Sequence, residues 1–375
     1  MAADREICGA VGRLLALGGR GAGLSVRGMS SRVRIAVLGV GSLGKEHARI
    51  FAELGRLGVC EFTGVYDVNA EAARIHALKH GVRAFASVDE AAAAADALTI
   101  VTPTVTHAAL ARDLLAQGRH LLIEKPMADN GAEASELVEL AARHRVILQV
   151  GHVERFNPVY EYLEQVARYP RFIECHRLSP YPARSTDIGV VLDLMIHDLD
   201  VVMAFVKSPV VGVEGVGIPV LSASEDIANA RLRFANGCVA NLTASRISPE
   251  RMRKIRVFSA GPEPTYISLD YRAQEGFVYR LAHSDEPESS LFKKLLSAKD
   301  SAIVSEFAGR RIVREPVPIA KEEPLRLELA HFVACVQERR APKVTGEQAR
   351  AALEVAFEVT RQIRESIATI PRTAA

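Results

Sequence analysis

The chain has 375 residues, 49% hydrophobic and 25% charged, with a formal net charge of +2. Its length predicts two domains, its composition is typical of folded proteins, and no apolar run is long enough to span a bilayer. No basic cluster suits a nucleic-acid backbone, so we exclude membranes and nucleic acid as partners. Five scattered cysteines without a CxxC pair indicate reduced thiols, which predicts a cytoplasmic protein.

The first 31 residues carry acidic side chains ahead of any apolar stretch and contain a Gly-Gly break, unlike a secretory signal. We interpret 1–31 as a mobile N-terminal extension. Because Met29 lies just before the first predicted strand, residues 1–28 can also result from the choice of start site.

Residues 32–150 alternate short apolar runs with amphipathic, alanine-rich segments, which predicts βαβ units around a doubly wound parallel sheet. The predicted strands read VRIAVLGV, CEFTGVYD, RAFA, ALTIVTP, HLLIEKP and VILQVGH. The predicted helices read EHARIFAELG, NAEAARIHALKH, THAALARDLLAQG and GAEASELVELAARH. This range is therefore expected to be a Rossmann domain.

Residues 151–375 have a different pattern, which predicts an α+β domain with a mainly antiparallel, open sheet. A helix at NPVYEYLEQVA is followed by an arginine-rich turn region and a second helix, VLDLMIHDLDVVMAFV. Period-two strands come next, with a hairpin turn at Asn236-Gly237, and two helices close the chain. We expect substrate binding and oligomerisation in this part.

The stretch VLGVGSLG has the G-x-G-x-x-G spacing between a predicted strand and a helix. Such a loop brings backbone amides and a helix N-terminus to a pyrophosphate, although glycine-rich turns without a ligand are common. The acid Asp67, at the end of the next strand, can bind adenosine ribose hydroxyls and repel a 2′-phosphate, which favours NAD over NADP. The expected contacts are Gly39, Gly41, Ser42, Leu43, Gly44 and Asp67.

Two further motifs end predicted strands of the parallel sheet, at the edge where ligands bind in open α/β folds. In IEKP, Lys125 can meet a substrate oxygen, whereas the alternative is a surface Glu-Lys pair before a turn proline. The loop VTPTVTH follows the neighbouring strand. We add Thr102, Pro103, His107 and Glu124 to the expected cofactor-binding residues.

The helix LDLMIHDLD places Asp193 and His197 one turn apart on a common face. Histidine can take a hydroxyl proton, and a neighbouring acid can orient it, which predicts an acid–base pair. A salt-bridged helix face is the alternative. A metal site is not expected, because no nearby second histidine or cysteine completes a set of ligands.

Arginine and asparagine side chains in GHVERFNP and HRLSPYPARSTD are candidates for substrate binding, since a guanidinium suits phosphate or carboxylate. Most isolated arginines are solvated surface residues, which is the alternative here. The candidates are Arg155, Asn157, Arg177 and Arg184.

Taken together, these motifs resemble the glucose–fructose oxidoreductase / inositol dehydrogenase / rhizopine catabolism (Gfo/Idh/MocA) family from Val33 to about Glu365. The resemblance implies a Rossmann domain, an α/β domain with an open sheet that forms homo-oligomers, bound NAD, and Lys125, Asp193 and His197 at the chemical centre. Met195 stands where the family often has glycine, so the resemblance does not define the shape of the substrate pocket.

Within the family, VGHVERFNPVY and RSTDIGVVLDLMIHDLDVV look most like the branch that oxidises C3 of UDP-N-acetylglucosamine for lipid A-type glycolipids. Other substrates stay open, namely a free sugar, an inositol or a UDP-sugar uronate. An NAD-dependent glycosidase and a non-catalytic NAD-binding regulator also stay open, because fold does not fix function.

Overall fold

The computed structural model describes residues 32–181, 188–282, 302–307 and 310–368. The predicted extension at 1–31 and the candidate Arg184 lie outside the described residues. Among those that are described, no helix is long and apolar enough to cross a bilayer.

The first part of the chain forms a six-stranded parallel sheet in the order β3-β2-β1-β4-β5-β6, as the sequence predicts. The strands are β1 (Arg34–Leu38), β2 (Glu61–Tyr66), β3 (Arg83–Ala84), β4 (Ala97–Ile100), β5 (His120–Glu124) and β6 (Leu148–Gly151). The helices are α1 (Gly44–Arg56), α2 (Ala70–His80), α3 (Val88–Ala94), α4 (His107–Ala116) and α5 (Gly131–His144). Strand order reverses between β1 and β4, where ligands bind in doubly wound folds.

The second part forms a nine-stranded sheet in the order β14-β15-β13-β12-β11-β7-β10-β9-β8, antiparallel except for the β7–β10 pair. Its strands are β7 (Pro170–Leu178), β8 (Val210–Ile218), β9 (Ile227–Phe234), β10 (Val239–Ser245), β11 (Met252–Ser259), β12 (Thr265–Asp270), β13 (Glu275–Leu281), β14 (Ala302–Phe307) and β15 (Arg310–Pro316). Its helices are α6 (Pro158–Val166), α7 (Ile196–Val206), α8 (Pro324–Glu338) and α9 (Gly346–Ala368). The predicted turn at Gly237 joins β9 to β10, with a positive φ of 81°.

One local prediction for this part was wrong. The arginine-rich turn region contains β7, whose inward positions are Ile173, Cys175 and Arg177. A buried arginine at an inward position obscures the period-two pattern on which strand prediction depends. The helix predicted at VLDLMIHDLDVVMAFV is present, and it begins with a π-helical turn, Val191–Met195, in which the Ile196 N–H donates to the Val191 carbonyl.

Helix α8 packs on the first sheet although it follows the second one in the sequence. Leu329, Phe332 and Val333 lie in one apolar cluster with Ile35 and Phe51 of the parallel-sheet layer. A second apolar cluster runs without a break from the first sheet to the second. The two sheets therefore share a core, and the parallel sheet, whose last strand ends at Gly151, packs with residues far beyond that strand. The predicted domain boundary at 150 stays a prediction.

The side chain of Glu328, on α8, is fully buried in this shared interior. Neither carboxylate oxygen has a hydrogen-bond partner in the part of the chain that the structure describes. Burial, together with the charges of Glu124 and Asp200, raises the pKa of Glu328 well above its ordinary value. The folded protein therefore holds this side chain as a neutral acid.

We expect Glu328→Gln to stabilise the fold more at alkaline than at acidic pH. With its raised pKa, folded Glu328 keeps a proton that the unfolded chain releases above a pKa of about 4.3, so wild-type stability falls as pH rises from there. Glutamine carries no such penalty, which predicts a gain on the order of 1 kcal/mol at pH 8 and little at pH 4. Urea unfolding at pH 8 and at pH 4 measures the free energy of unfolding of both proteins. Glu139→Gln, at an exposed site, is the control. A difference in stability that does not change with pH would contradict a neutral Glu328.

Candidate functional site

The glycine loop leaves no room for side chains at two of its three glycines. A Cβ built on Gly44 would lie 1.9 Å from the Gly39 carbonyl oxygen, and one on Gly39, whose φ is +89°, would lie 2.6 Å from the Val101 carbonyl oxygen. A Cβ on Gly41 meets nothing within 4 Å. The loop is thus packed tightly at Gly39 and Gly44 and open at Gly41, just before helix α1 begins.

The acid at the end of β2 holds this loop. Asp67 Oδ2 accepts the Val40 N–H at 2.8 Å, and its Oδ1 accepts the Asn69 N–H at 2.9 Å. These two bonds fix the carboxylate beside the glycine loop, and its side chain remains partly exposed. It lies where a ribose could be bound.

The loop after β4 is tied to the EKP turn by a buried histidine. The two ring nitrogens of His107 lie 2.9 Å from the Pro126 and Thr102 carbonyl oxygens. Thr102 Oγ1 also lies 2.7 Å from Thr106 Oγ1, and a 3₁₀ turn starts after Pro103. His107 is 1% exposed, so its contacts hold two ligand-edge loops together.

Lys125, at the carboxyl end of β5, reaches across to the π-helical turn. Its Nζ lies 3.5 Å from Asp193 Oδ1 and donates to the Asp193 carbonyl oxygen at 2.5 Å. The Lys125 side chain is 16% exposed and that of Asp193 21%. Burial lowers the pKa of the Lys125 ammonium, and the Asp193 carboxylate opposes that shift.

His197, at the start of α7, faces the same place with one nitrogen turned inward. Its Nδ1 is buried without a partner in the described structure, which leaves Nε2 as the nitrogen available to a substrate. Burial and the positive charges of Lys125 and Arg177 hold the pKa of His197 well below its ordinary 6.5. At neutral pH the ring is therefore a neutral base.

The pairing expected between Asp193 and His197 is not seen as a hydrogen bond within the described residues, where the Asp193 carboxylate faces Lys125. Orientation of His197 by Asp193 stays a prediction.

A histidine behind the EKP motif was not predicted from the sequence. His47, on the first turn of α1, lies 3.0 Å from Glu124 Oε1 through its Nε2. A Cβ on Gly151 of β6 would lie 2.7 Å from the same carboxylate, so the Glu124 side chain fills the space above that glycine. Glu124 is 8% exposed and supports the site from inside.

Three of the predicted substrate residues are engaged inside the protein. Arg177 is 3% exposed and donates to both oxygens of Asp198 at 2.9 Å. Arg155 pairs with Asp200 at 3.5 Å, and Asn157 caps α6. Since these side chains already have partners, we no longer assign the diphosphate to them.

A more accessible guanidinium lies beside them and was not found from the sequence. Arg253, on β11, keeps 53% of its side chain exposed and is 3.6 Å from Glu154. Its charge acts on both Arg177 and His197. Nothing local distinguishes it from other strand arginines.

Both parts of the chain match families of known proteins. Residues 33–152 match the oxidoreductase family with an NAD-binding Rossmann fold, and residues 168–260 match the Gfo/Idh/MocA C-terminal domain. UDP-N-acetylglucosamine 3-dehydrogenase of Acidithiobacillus ferrooxidans is 35% identical over 87% of this chain and 96% of its own length. The chain belongs to the Gfo/Idh/MocA family.

Two other comparisons place the chain within the Gfo/Idh/MocA family. A solved structure of the Acidithiobacillus ferrooxidans dehydrogenase superposes with a TM-score of 0.78 at 34% identity, covering 89% of this chain and 98% of that one. scyllo-Inositol 2-dehydrogenase (NAD(+)) of Bacillus subtilis is 27% identical over 90% of this chain and 96% of its own. The protein is an NAD-binding dehydrogenase.

The residues of the Gfo/Idh/MocA Rossmann domain fit NAD. The open space at Gly41 suits a pyrophosphate at the N-terminus of α1, where no side chain caps the helix. Asp67 lies at the end of the neighbouring strand, as a ribose-binding acid does. Hydride transfer is the chemistry that NAD supplies when bound.

Alanine substitutions at two loop glycines should separate cofactor binding from folding. Gly41→Ala points a methyl group into open space, so we expect an unchanged Tm and an NAD Kd raised about tenfold or more. Gly44→Ala meets the Gly39 carbonyl and should cost about 1–3 kcal/mol of stability. Calorimetry of binding and unfolding measures both, and equal effects of the two substitutions would refute this division of roles.

Proposed function

We propose that the protein oxidises a hydroxyl group of a sugar to a ketone, with hydride transfer to NAD. The observation that carries this proposal is the convergence of Lys125, Asp193 and His197 at the carboxyl edge of the parallel sheet. Alcohol oxidation needs a base for the hydroxyl proton and a positive group at the reacting oxygen. His197 and Lys125 supply them.

In this mechanism the neutral His197 takes the hydroxyl proton at Nε2. Lys125 donates a hydrogen bond to the same oxygen and stabilises the negative charge that develops there. The Asp193 carbonyl and carboxylate hold the Lys125 ammonium in place, at 2.5 and 3.5 Å. Glu124 and His107 fix the turn on which Lys125 lies.

Our proposed substrate is UDP-N-acetylglucosamine, oxidised at C3. This proposal is supported by the name and near-complete coverage of the Acidithiobacillus ferrooxidans relative, whose identity exceeds that of the inositol dehydrogenase. Arg253 is the side chain that we assign to the diphosphate, because its guanidinium is accessible and close to the site.

We also propose that the chain forms homo-oligomers through the outer face of the second sheet. An aromatic row, Phe172, Phe258, Tyr266 and Tyr279, crosses four strands there, with neighbouring ring centroids 4.6 to 5.6 Å apart. All four are only partly buried, and such an exposed row is typical of interfaces. Light scattering measures the mass, and the mass of one chain would exclude the oligomer.

The rate of sugar oxidation should fall at both pH extremes. His197 must be neutral, and its pKa is lowered, so the acid limb should lie below pH 6.5. Lys125 must be protonated, and its pKa is also lowered, so the alkaline limb should lie below pH 10.5.

His197→Ala and Lys125→Met should each lower kcat/KM by roughly 10²-fold or more. Near-wild-type kinetics in either variant, with the fold intact by circular dichroism, would remove that residue from the mechanism.

Purified protein with NAD should form NADH with UDP-N-acetylglucosamine and give a product two mass units lighter. Free sugars and inositols, which lack the diphosphate, should react poorly, and Arg253→Gln should raise KM for the UDP-sugar more than it lowers kcat. Activity with an inositol or a free sugar alone would show that UDP-N-acetylglucosamine is not the substrate. Cleavage of the sugar without net NADH formation would favour a glycosidase. Binding of NAD without any reaction would favour a regulator.

A further inference from the structure

A buried polar cluster lies directly behind the site, and apart from His197 its residues have no role in the mechanism above. Within the described structure, five buried atoms there have no hydrogen-bond partner: His152 Nδ1, Asp200 Oδ2, Arg155 Nε, Gln149 Oε1 and His197 Nδ1. Buried polar atoms nearly always have partners, and a group of unpaired ones indicates internal water. No set of three or more possible ligands among the described residues could hold a metal ion.

His152 connects this cluster to the site. It follows β6, is 1% exposed, and its ring meets that of His197 edge to face with centroids 6.2 Å apart. Both rings have a buried Nδ1 without a partner in the described structure, and rings this close can be linked by a bridging water molecule. The arrangement is therefore a pair of imidazoles, one open to the substrate and one enclosed.

Asp200 supplies the negative charge next to His152. It is 2% exposed, pairs with Arg155 through one oxygen at 3.5 Å, and leaves the other unpaired. Burial lowers the pKa of His152, and the Asp200 carboxylate is the first charge that opposes this. For His197, in contrast, the leading charges, those of Lys125 and Arg177, add to the effect of burial. A proton is thus less costly on His152 than on His197.

We propose that His152, positioned by Asp200, receives the proton that His197 takes from the substrate. This inference rests on the proposed function. The substrate O–H bond breaks and an Nε2–H bond forms on His197; the Nδ1–H of the same ring then breaks, and the proton passes through a water molecule to His152. It remains there until the product leaves, and then returns through His197 to solvent. No further reactant is needed.

The charged and titratable groups that face His152 come from three elements. They are Glu124 and Lys125 at the end of β5, Arg155 on the following 3₁₀ turn, and Asp200 and His197 on α7. Lys125 and Arg155 oppose a proton on His152, whereas Asp200 and Glu124 favour it. Removing Asp200 should therefore have an effect on His152 that is opposite in sign to removing Lys125.

The first test needs no substrate. Histidine NMR titrations of the free protein compare the wild type with Asp200→Asn and His152→Asn, and His144→Asn, at an exposed helix end, is the control. We expect Asp200→Asn to lower the pKa of His152, because the carboxylate that favours a proton on His152 is removed. We expect His152→Asn to raise the pKa of His197, because the positive charge of His152 no longer opposes a proton on His197. Using two variants keeps the test valid if one of them fails to fold.

The second test follows one turnover with a pH-indicator dye and NADH absorbance. The wild type should release its proton after NADH forms, and His152→Asn should lose this delay and slow the hydride step by about tenfold. Unchanged titrations in both variants, or simultaneous NADH and proton appearance in the wild type, would overturn the relay. If no sugar yields NADH, the proposed function fails and the relay fails with it, whereas unchanged titrations with normal NADH formation overturn the relay alone.

Discussion

The contact between Lys125 and Asp193 joins the two parts of the chain at the point where chemistry is expected. Lys125 ends a strand of the first sheet, and Asp193 lies on the π-helical turn that precedes α7. Neither layer alone would enclose the ammonium. Burial of this pair depends on the core that the two sheets share, so packing far from the site fixes the electrostatics within it.

The interior around this contact contains buried charges, and each buried arginine is paired with a buried carboxylate. Arg177 and Arg246 are each paired with buried carboxylates, Asp198 and Asp226, at 2.8 to 2.9 Å. Breaking such a pair leaves an uncompensated buried charge, which costs about 3–5 kcal/mol. The pairs therefore fix the relative placement of strands and helices, and a misplaced helix α7 would be strongly penalised.

Features with local spacing could be predicted from the sequence, and features that depend on distant partners could not. The glycine loop and the hairpin at Gly237 follow from backbone geometry within a few residues, and Asp67 follows from its place at the end of the next strand. Strand β7 was missed because Arg177 is buried by partners that are distant in the sequence. His47 and Arg253 have no local signal at all, since only the fold brings them to Glu124 and His197.

The π-helical turn is also held by buried side chains other than Lys125, at its N-terminal end. The Glu225 carboxylate accepts the Val191 N–H at 3.3 Å, and a Cβ on Gly189 would lie 1.9 Å from its Oε1. The wholly buried Arg246 donates to the Ile188 carbonyl oxygen at 2.7 Å. Since the start of the turn is fixed inside the protein and Lys125 contacts Asp193 within it, Asp193 and His197 are positioned before any ligand binds, as electrostatic catalysis requires.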